Sequence, residues 1–89
     1  MHTYVISYDL HESTEEHRRK VEQSIESIGE CLKCLTTTYF VKTPQTQEEV
    51  IHAASKYLDG DDCMIAVKVQ NPVSGWMKTE QRDQLLDFL

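Results

Sequence analysis

The feature that most constrains this chain is the order of the strand-like and helix-like segments in its first 70 residues. Runs rich in β-branched and aromatic residues favour strands, whereas apolar residues spaced three and four apart favour helices. The resulting order is strand, helix, strand, strand, helix, strand. It predicts an α+β domain of the ferredoxin-like βαββαβ type, a four-stranded antiparallel sheet with two helices on one face.

Local signals set the boundaries of these segments. Strands are predicted at residues 2–10, 31–35, 36–43 and 63–69, and the first helix at 14–28, with Ser13 or Thr14 as its cap and Gly29 as its stop. The second helix is predicted to open with a capping box between Thr46 and Glu49. In the last strand the residues predicted to alternate onto the buried face are Cys63, Ile65, Val67 and Val69.

The chain divides into residues 1–70, the ferredoxin-like domain, and residues 71–89, a linker followed by a short amphipathic helix. Its 89 residues, 39% hydrophobic, can build one core. Four tail residues need apolar cover, from their own sheet or from a second copy of the chain: Leu85, Leu86, Phe88 and Leu89. Trp76 in the linker is either an anchor for a partner or a plug in the sheet or dimer seam. The open face of the sheet predicts a homodimer.

The first strand ends on a carboxylate. Alternation places Tyr4, Ile6 and Tyr8 under the helices and leaves Asp9 on the open face with Ser7. Across a dimer axis, two copies of Asp9 would approach each other and favour a divalent cation such as Mg²⁺ or Mn²⁺. In the alternative interpretation, Asp9 only ends the strand and accepts hydrogen bonds from the backbone of residues 10–13.

The charge balance argues against general nucleic-acid binding. Nine Lys and Arg against fifteen Asp and Glu give a net charge of -6, so we expect weak or no general affinity for polyanions. The local exception is Arg18, Arg19 and Lys20, which either contact one or two phosphates or form the solvated face of a helix. His11 is a candidate second ligand near Asp9, or an exposed loop residue.

The cysteines and the hydropathy pattern point to an intracellular setting. The three cysteines are odd in number and lie in apolar runs, as expected for reduced thiols. Cys31 and Cys34 are three apart on a predicted strand, so they face opposite sides and do not predict a zinc site. No apolar run is long enough to span a membrane and the start lacks a signal-peptide pattern, so we expect a cytoplasmic protein.

Several short motifs together resemble a known family. These are Tyr8-Asp9-Leu10 closing the first strand, Arg19-Lys20-Val21 in the first helix, Ile28-Gly29 at its end, and the strand at 37–41. They resemble the small CRISPR-associated adaptation protein that partners the CRISPR integrase, over about residues 3–69. Virulence-associated protein D ribonucleases are related, and short YDL-opening bacterial and phage proteins of unknown role look closest.

The resemblance implies a dimer and, in active members, one aspartate per subunit that holds a divalent metal for phosphodiester hydrolysis. That catalytic and metal-binding role would fall on Asp9, and nucleic-acid contact on Arg18 and Arg19. The metal would activate water at the scissile phosphate. Because the chain is acidic, we expect a homodimeric adaptor or binding protein with an unidentified protein partner. The alternatives are a metal-dependent endonuclease of RNA or DNA, and an acidic regulator or inhibitor of a nucleic-acid-binding partner.

Overall fold

A computed structural model describes all 89 residues as one four-stranded sheet with three helices. The elements, in chain order, are β1 (His2–Asp9), α1 (Glu15–Glu26), β2 (Glu30–Leu35), β3 (Thr38–Thr43), α2 (Gln47–Ala54), β4 (Cys63–Lys68) and α3 (Thr79–Phe88). The strand order is β2-β3-β1-β4, and every neighbouring pair is antiparallel. The fold is therefore α+β, with a strand order consistent with a ferredoxin-like arrangement. None of the three helices has the length and apolar character needed to cross a membrane.

Both predicted helix starts are confirmed. The hydroxyl of Thr14 accepts a hydrogen bond from the backbone N–H of His17 at 3.0 Å, which caps α1. At α2, the hydroxyl of Thr46 accepts from the backbone N–H of Glu49 at 3.2 Å, and Glu49 Oε1 accepts from the backbone N–H of Thr46 at 2.9 Å. These bonds satisfy backbone donors that a helix start otherwise leaves unpaired.

Gly29 has a different role from the predicted helix stop. Its backbone is not in the left-handed region, and α1 already ends at Glu26. A Cβ atom at Gly29 would overlap the carbonyl oxygen of Lys42 on the neighbouring strand. Glycine is needed here because the start of β2 passes close to the end of β3.

The main core lies between the sheet and the first two helices. Tyr4, Ile6 and Tyr8 of β1 are all buried there, which confirms the predicted face of this strand. The other buried members of this core are Val21, Ile25, Ile28, Tyr39, Val41, Val50 and Ala54. Both helices therefore cover the same face of the sheet, as the sequence predicts.

The second face of the sheet is half covered rather than open. Leu85 of α3 is buried against Cys34 and Phe40. Val73 and Met77 of the linker pack on the same cluster, as do the last two residues of the chain. Leu85, Phe88 and Leu89 thus find apolar cover on their own sheet, where burial favours folding by about 25 cal/mol per Å² of apolar surface. The expected cover is wrong for Leu86, which stays 58% exposed.

The predicted burial of alternate residues in β4 is wrong. Ile65 and Val67 keep 61% and 51% of their surface exposed, and Cys63 is exposed as well. Pairing with β1 places these side chains on the second face, beyond the part that α3 covers. Met64 and Ala66 take the core side instead. Because β4 has apolar residues on both faces, only its register with β1 decides which set is buried.

The outer edge of β4 is not bare along its whole length. The side-chain amide of Gln47, in the first turn of α2, donates a hydrogen bond to the backbone carbonyl of Ala66 at 2.6 Å. This bond satisfies a backbone acceptor that the sheet itself leaves free.

Candidate functional site

Asp9 is the last residue of β1 and lies exposed on the second face, as predicted. Its carboxylate forms no ion pair and no hydrogen bond within the chain. It borders a shallow hollow of about 180 Å³ whose other lining residues include Ser7, Cys63 and Ile65. An ionised group without a partner, set beside exposed apolar side chains, is the strongest candidate for contact with another molecule.

The turn after Asp9 is held by a different aspartate. Asp62 Oδ1 accepts a hydrogen bond from the backbone N–H of His11 at 2.7 Å. Asp62 Oδ2 accepts from the backbone N–H of Asp59 at 2.9 Å and from Nε2 of His17 at 2.8 Å. The interpretation that Asp9 caps this turn is therefore wrong. The hydrogen bond to the turn is accepted by Asp62, the residue that precedes β4.

The hydrogen bonds at Asp62 change its acidity. The two backbone N–H groups of Asp59 and His11, followed by the His17 side chain, lower the pKa of Asp62 from 3.8 to about 2. Each donor favours the charged carboxylate over the neutral acid. The side chain of Asp62 is only 1% exposed, and its carboxylate accepts hydrogen bonds from three donors of this chain.

His17, Asp59 and Asp62 place their polar atoms within 4.8 Å of one another, a spacing that a metal ion could bridge. The Asp59 carboxylate is 84% exposed and lies 3.8 Å from Nε2 of His17. Nε2 donates its proton to Asp62, so a cation here would require His17 to lose that proton and that bond. The arrangement joins α1 to the turn before β4. No sequence signal identifies it, because His17 and Asp62 lie 45 residues apart.

The predicted phosphate-contacting residues lie on α1, across the sheet from Asp9. Arg18 and Arg19 are exposed, and Nη2 of Arg19 lies 3.4 Å from Oε1 of Glu15. Because α1 covers the main-core face and Asp9 projects from the second face, one chain does not bring the arginines and Asp9 together. The side chain of His11 is 58% exposed, and its Nε2 lies 3.9 Å from Glu12.

The cysteines lie in three different environments. Cys31 packs against the main core and Cys34 is buried in the second-face cluster, so the two face opposite sides as predicted. Burial raises the pKa of both thiols, and the nearby Glu26 carboxylate adds to the rise at Cys31. Cys63 is exposed on the second face beside Asp9.

Two buried tyrosines form polar contacts where α1 meets the sheet. The Tyr8 hydroxyl donates to Glu22 at 3.4 Å, and Lys33 pairs closely with the same carboxylate. The Tyr39 hydroxyl donates to Glu26 at 2.7 Å. Burial, followed by the Glu22 charge, raises the pKa of Tyr8 to about 12, and burial with the Glu26 bond raises the pKa of Tyr39 further. Both phenols remain neutral donors that fix α1 on the sheet.

Trp76 is 99% exposed, so it does not plug its own sheet. Ile65 and Val67 form the exposed apolar part of the second face on β4, and we call these two residues the exposed patch. Comparisons of the chain with protein-family models, curated proteins and solved structures find no match. The chemistry of Asp9 and of the exposed patch therefore supplies the functional evidence.

Proposed function

We propose that this chain is a ferredoxin-like binding protein, akin to the small CRISPR-associated adaptation proteins, that works as a homodimer through the second face of its sheet. The observation that carries the proposal is the incomplete cover of that face. Ile65 and Val67 remain 61% and 51% exposed although they belong to a packed sheet. Contiguous apolar surface of this kind marks an interaction site in soluble domains.

The charge distribution favours a second copy as the partner. The exposed patch contains no charged side chain, and Asp9 at its border is the one charged residue of the adjoining hollow. Each chain carries a net charge of -6, so two copies repel one another over most of their surfaces. The uncharged side chains of Ile65 and Val67 are where two such chains can meet at least cost, in a two-fold contact that uses the same surface of each copy.

The test compares lysine substitutions at two apolar positions that are each about half exposed. Val67→Lys places a charge in the proposed contact, whereas Leu86→Lys places one on α3, where the native side chain is 58% exposed. We expect wild type and Leu86→Lys to give a dimer mass by light scattering and Val67→Lys to give a monomer mass. A monomer for wild type at every concentration, or equal loss in both variants, would contradict the proposal.

A second candidate, a metal-dependent nuclease, is favoured by the free carboxylate of Asp9 on the same face. A two-fold contact there would bring two such carboxylates towards one axis, and oxygen ligands suit Mg²⁺ or Mn²⁺. RNA and DNA should then be cleaved by wild type with either metal and by Asp61→Asn, a control at another exposed carboxylate, but not by Asp9→Asn. Absence of cleavage, or equal cleavage by all three, removes this candidate.

A further inference from the structure

A cavity of about 350 Å³ lies between the first two helices, on the side of the molecule opposite the second face of the sheet. Residues of α1, of α2 and of the turn after α2 line it: Gln23, Ser24, Ser27, Ala53, Lys56 and Tyr57. Small-molecule sites in proteins have volumes of about 300–1,000 Å³. None of the lining residues carries a carboxylate, although the chain has fifteen Asp and Glu. A small anion in this cavity would therefore contact no side chain of like charge.

Ser24 is the most buried residue that lines the cavity. It is 7% exposed, and its backbone carbonyl accepts a hydrogen bond from the hydroxyl of Ser27, whereas its own hydroxyl has no partner in the chain. A hydroxyl that is removed from water without a hydrogen bond costs free energy. Alanine would allow the same close approach of the two helices and is the better helix former. An acceptor on a ligand in the cavity would give this buried donor its partner.

The rim of the cavity carries positive charge. Nζ of Lys56 lies 5.4 Å from the centroid of the Tyr57 ring, and Nζ of Lys20 on α1 lies 6.0 Å from the same centroid. Lys20 is paired with Glu16 at 3.6 Å, so its charge is already balanced. Lys56 takes part in no ion pair of the chain, and it is the one charged residue of the cavity lining. The charge that a ligand in the cavity would contact is therefore positive.

We propose that this cavity binds a small organic anion, whose oxyanion group accepts hydrogen bonds from the Ser24 hydroxyl and the Lys56 ammonium group. Phosphate and carboxylate oxygens both accept charge-assisted hydrogen bonds, which are stronger than bonds between neutral groups. The side-chain amide of Gln23 is a further donor at the rim, and the Tyr57 ring and the Ala53 methyl group offer apolar contact to the rest of the ligand. Because the site lies on the helices, it does not depend on the proposed homodimer.

Four probes that share one aromatic ring separate charge from shape: phenyl phosphate, benzoate, benzyl alcohol and benzylamine. Added to isotope-labelled wild type and followed by NMR, at least one of the two anions should shift the backbone amide signals of residues 23–27 and 53–57. The neutral alcohol and the cationic amine should bind about tenfold more weakly than that anion. The tighter of the two anions identifies the oxyanion group that the cavity prefers. Absence of these shifts at millimolar anion, or equal binding of the alcohol, would overturn the proposal.

Two substitutions test the named donors. Ser24→Ala removes the hydroxyl but keeps a small side chain that favours a helix, so the fold should be retained and the affinity for the anion should fall about fivefold. Lys56→Gln should weaken the anion about tenfold and leave benzyl alcohol unchanged. The matched controls, Ser74→Ala and Lys78→Gln, lie exposed in the linker and should bind as wild type.

Two results with these variants would also overturn the proposal. Unchanged affinity in Ser24→Ala would mean that this serine serves only as a small residue between the helices. Equal weakening by Lys56→Gln and Lys78→Gln would mean that the anion responds to the overall charge and to no particular site. A chain that binds the anion but stays monomeric would support the cavity and contradict the homodimer, so the two proposals fail separately.

Discussion

Nε2 of His17 in α1 lies 2.8 Å from Oδ2 of Asp62, the residue that precedes β4. The two side chains are 17% and 1% exposed, so the bond is largely shielded from water. Because Asp62 also accepts from the backbone of His11, a single carboxylate connects the turn after β1, the first helix and the entry to β4. The end of the sheet that carries Asp9 is held in place by this residue.

The first prediction concerns acid. The folded pKa of Asp62 is about 2 and its usual value is 3.8, so its ionised form stabilises the fold fully above pH 3.8. This stabilisation is lost as the pH falls towards 2, because the folded state must then take up a proton that it binds poorly. The free energy of unfolding, measured in urea, should therefore fall less for Asp62→Asn than for wild type between pH 3.8 and pH 2. Asp61→Asn, at the exposed neighbour, should behave as wild type, and identical pH profiles for all three proteins would contradict the prediction.

The second prediction concerns the close approach at Gly29. The Cβ atom of Gly29→Ala would overlap the carbonyl oxygen of Lys42, so β2 and β3 must separate locally. We expect a loss of about 1–3 kcal/mol in the free energy of unfolding, as for other overpacked sites. Gly60→Ala is the control, because no atom lies within 4 Å of its added Cβ. Equal stability of the two variants in urea would show that the strands adjust freely.

The third prediction concerns the alkaline limit of the fold. The pKa of Tyr8 is raised to about 12, so the neutral phenol stabilises the folded state below pH 10 and this contribution is lost as the pH rises from 10 to 12. Glu22→Gln removes the charge nearest the phenol and should lower the Tyr8 pKa, measured by carbon NMR of labelled tyrosine rings. Glu48→Gln, at an exposed position on α2, should leave it unchanged. An unchanged Tyr8 titration in Glu22→Gln would contradict the assignment.

The fourth prediction concerns the three thiols. Cys63 is exposed, whereas burial raises the pKa of Cys31 and Cys34 and keeps both as thiols. Because the thiolate is the reactive form, a thiol reagent at neutral pH should label Cys63 first and the other two only after unfolding. Mass spectrometry of partly labelled protein identifies the site. Three equal rates would mean that the sheet opens faster than the reagent reacts.

The sequence predicts the parts of this fold that depend on neighbouring residues. Alternation along β1 identifies the buried face through Tyr4 and Ile6, and the spacing of Thr46 and Glu49 identifies the start of α2. Both signals act within a few residues, so no knowledge of the partner strand is needed. The position of Asp9 on the second face follows from the same alternation.

The missed features depend on contacts between distant segments. The buried face of β4 was predicted wrongly because Val67 and Ala66 are both apolar, and only pairing with β1 separates them. The sequence does not identify His17 as part of a polar cluster, because its partner Asp62 lies 45 residues away. The packing of α3 on the second face is likewise a long-range contact. The apolar residues of the tail predict that it must pack on something, but they do not identify the surface.

The hydrogen bond from Gln47 to the carbonyl of Ala66 has a consequence for how copies of this chain can meet. An edge strand with free backbone groups is a template on which further strands can add without limit. Here the middle of the β4 edge is already occupied by a side chain from α2, so an incoming strand would have to displace it. Growth into an open-ended ribbon by strand addition at this edge is thereby discouraged.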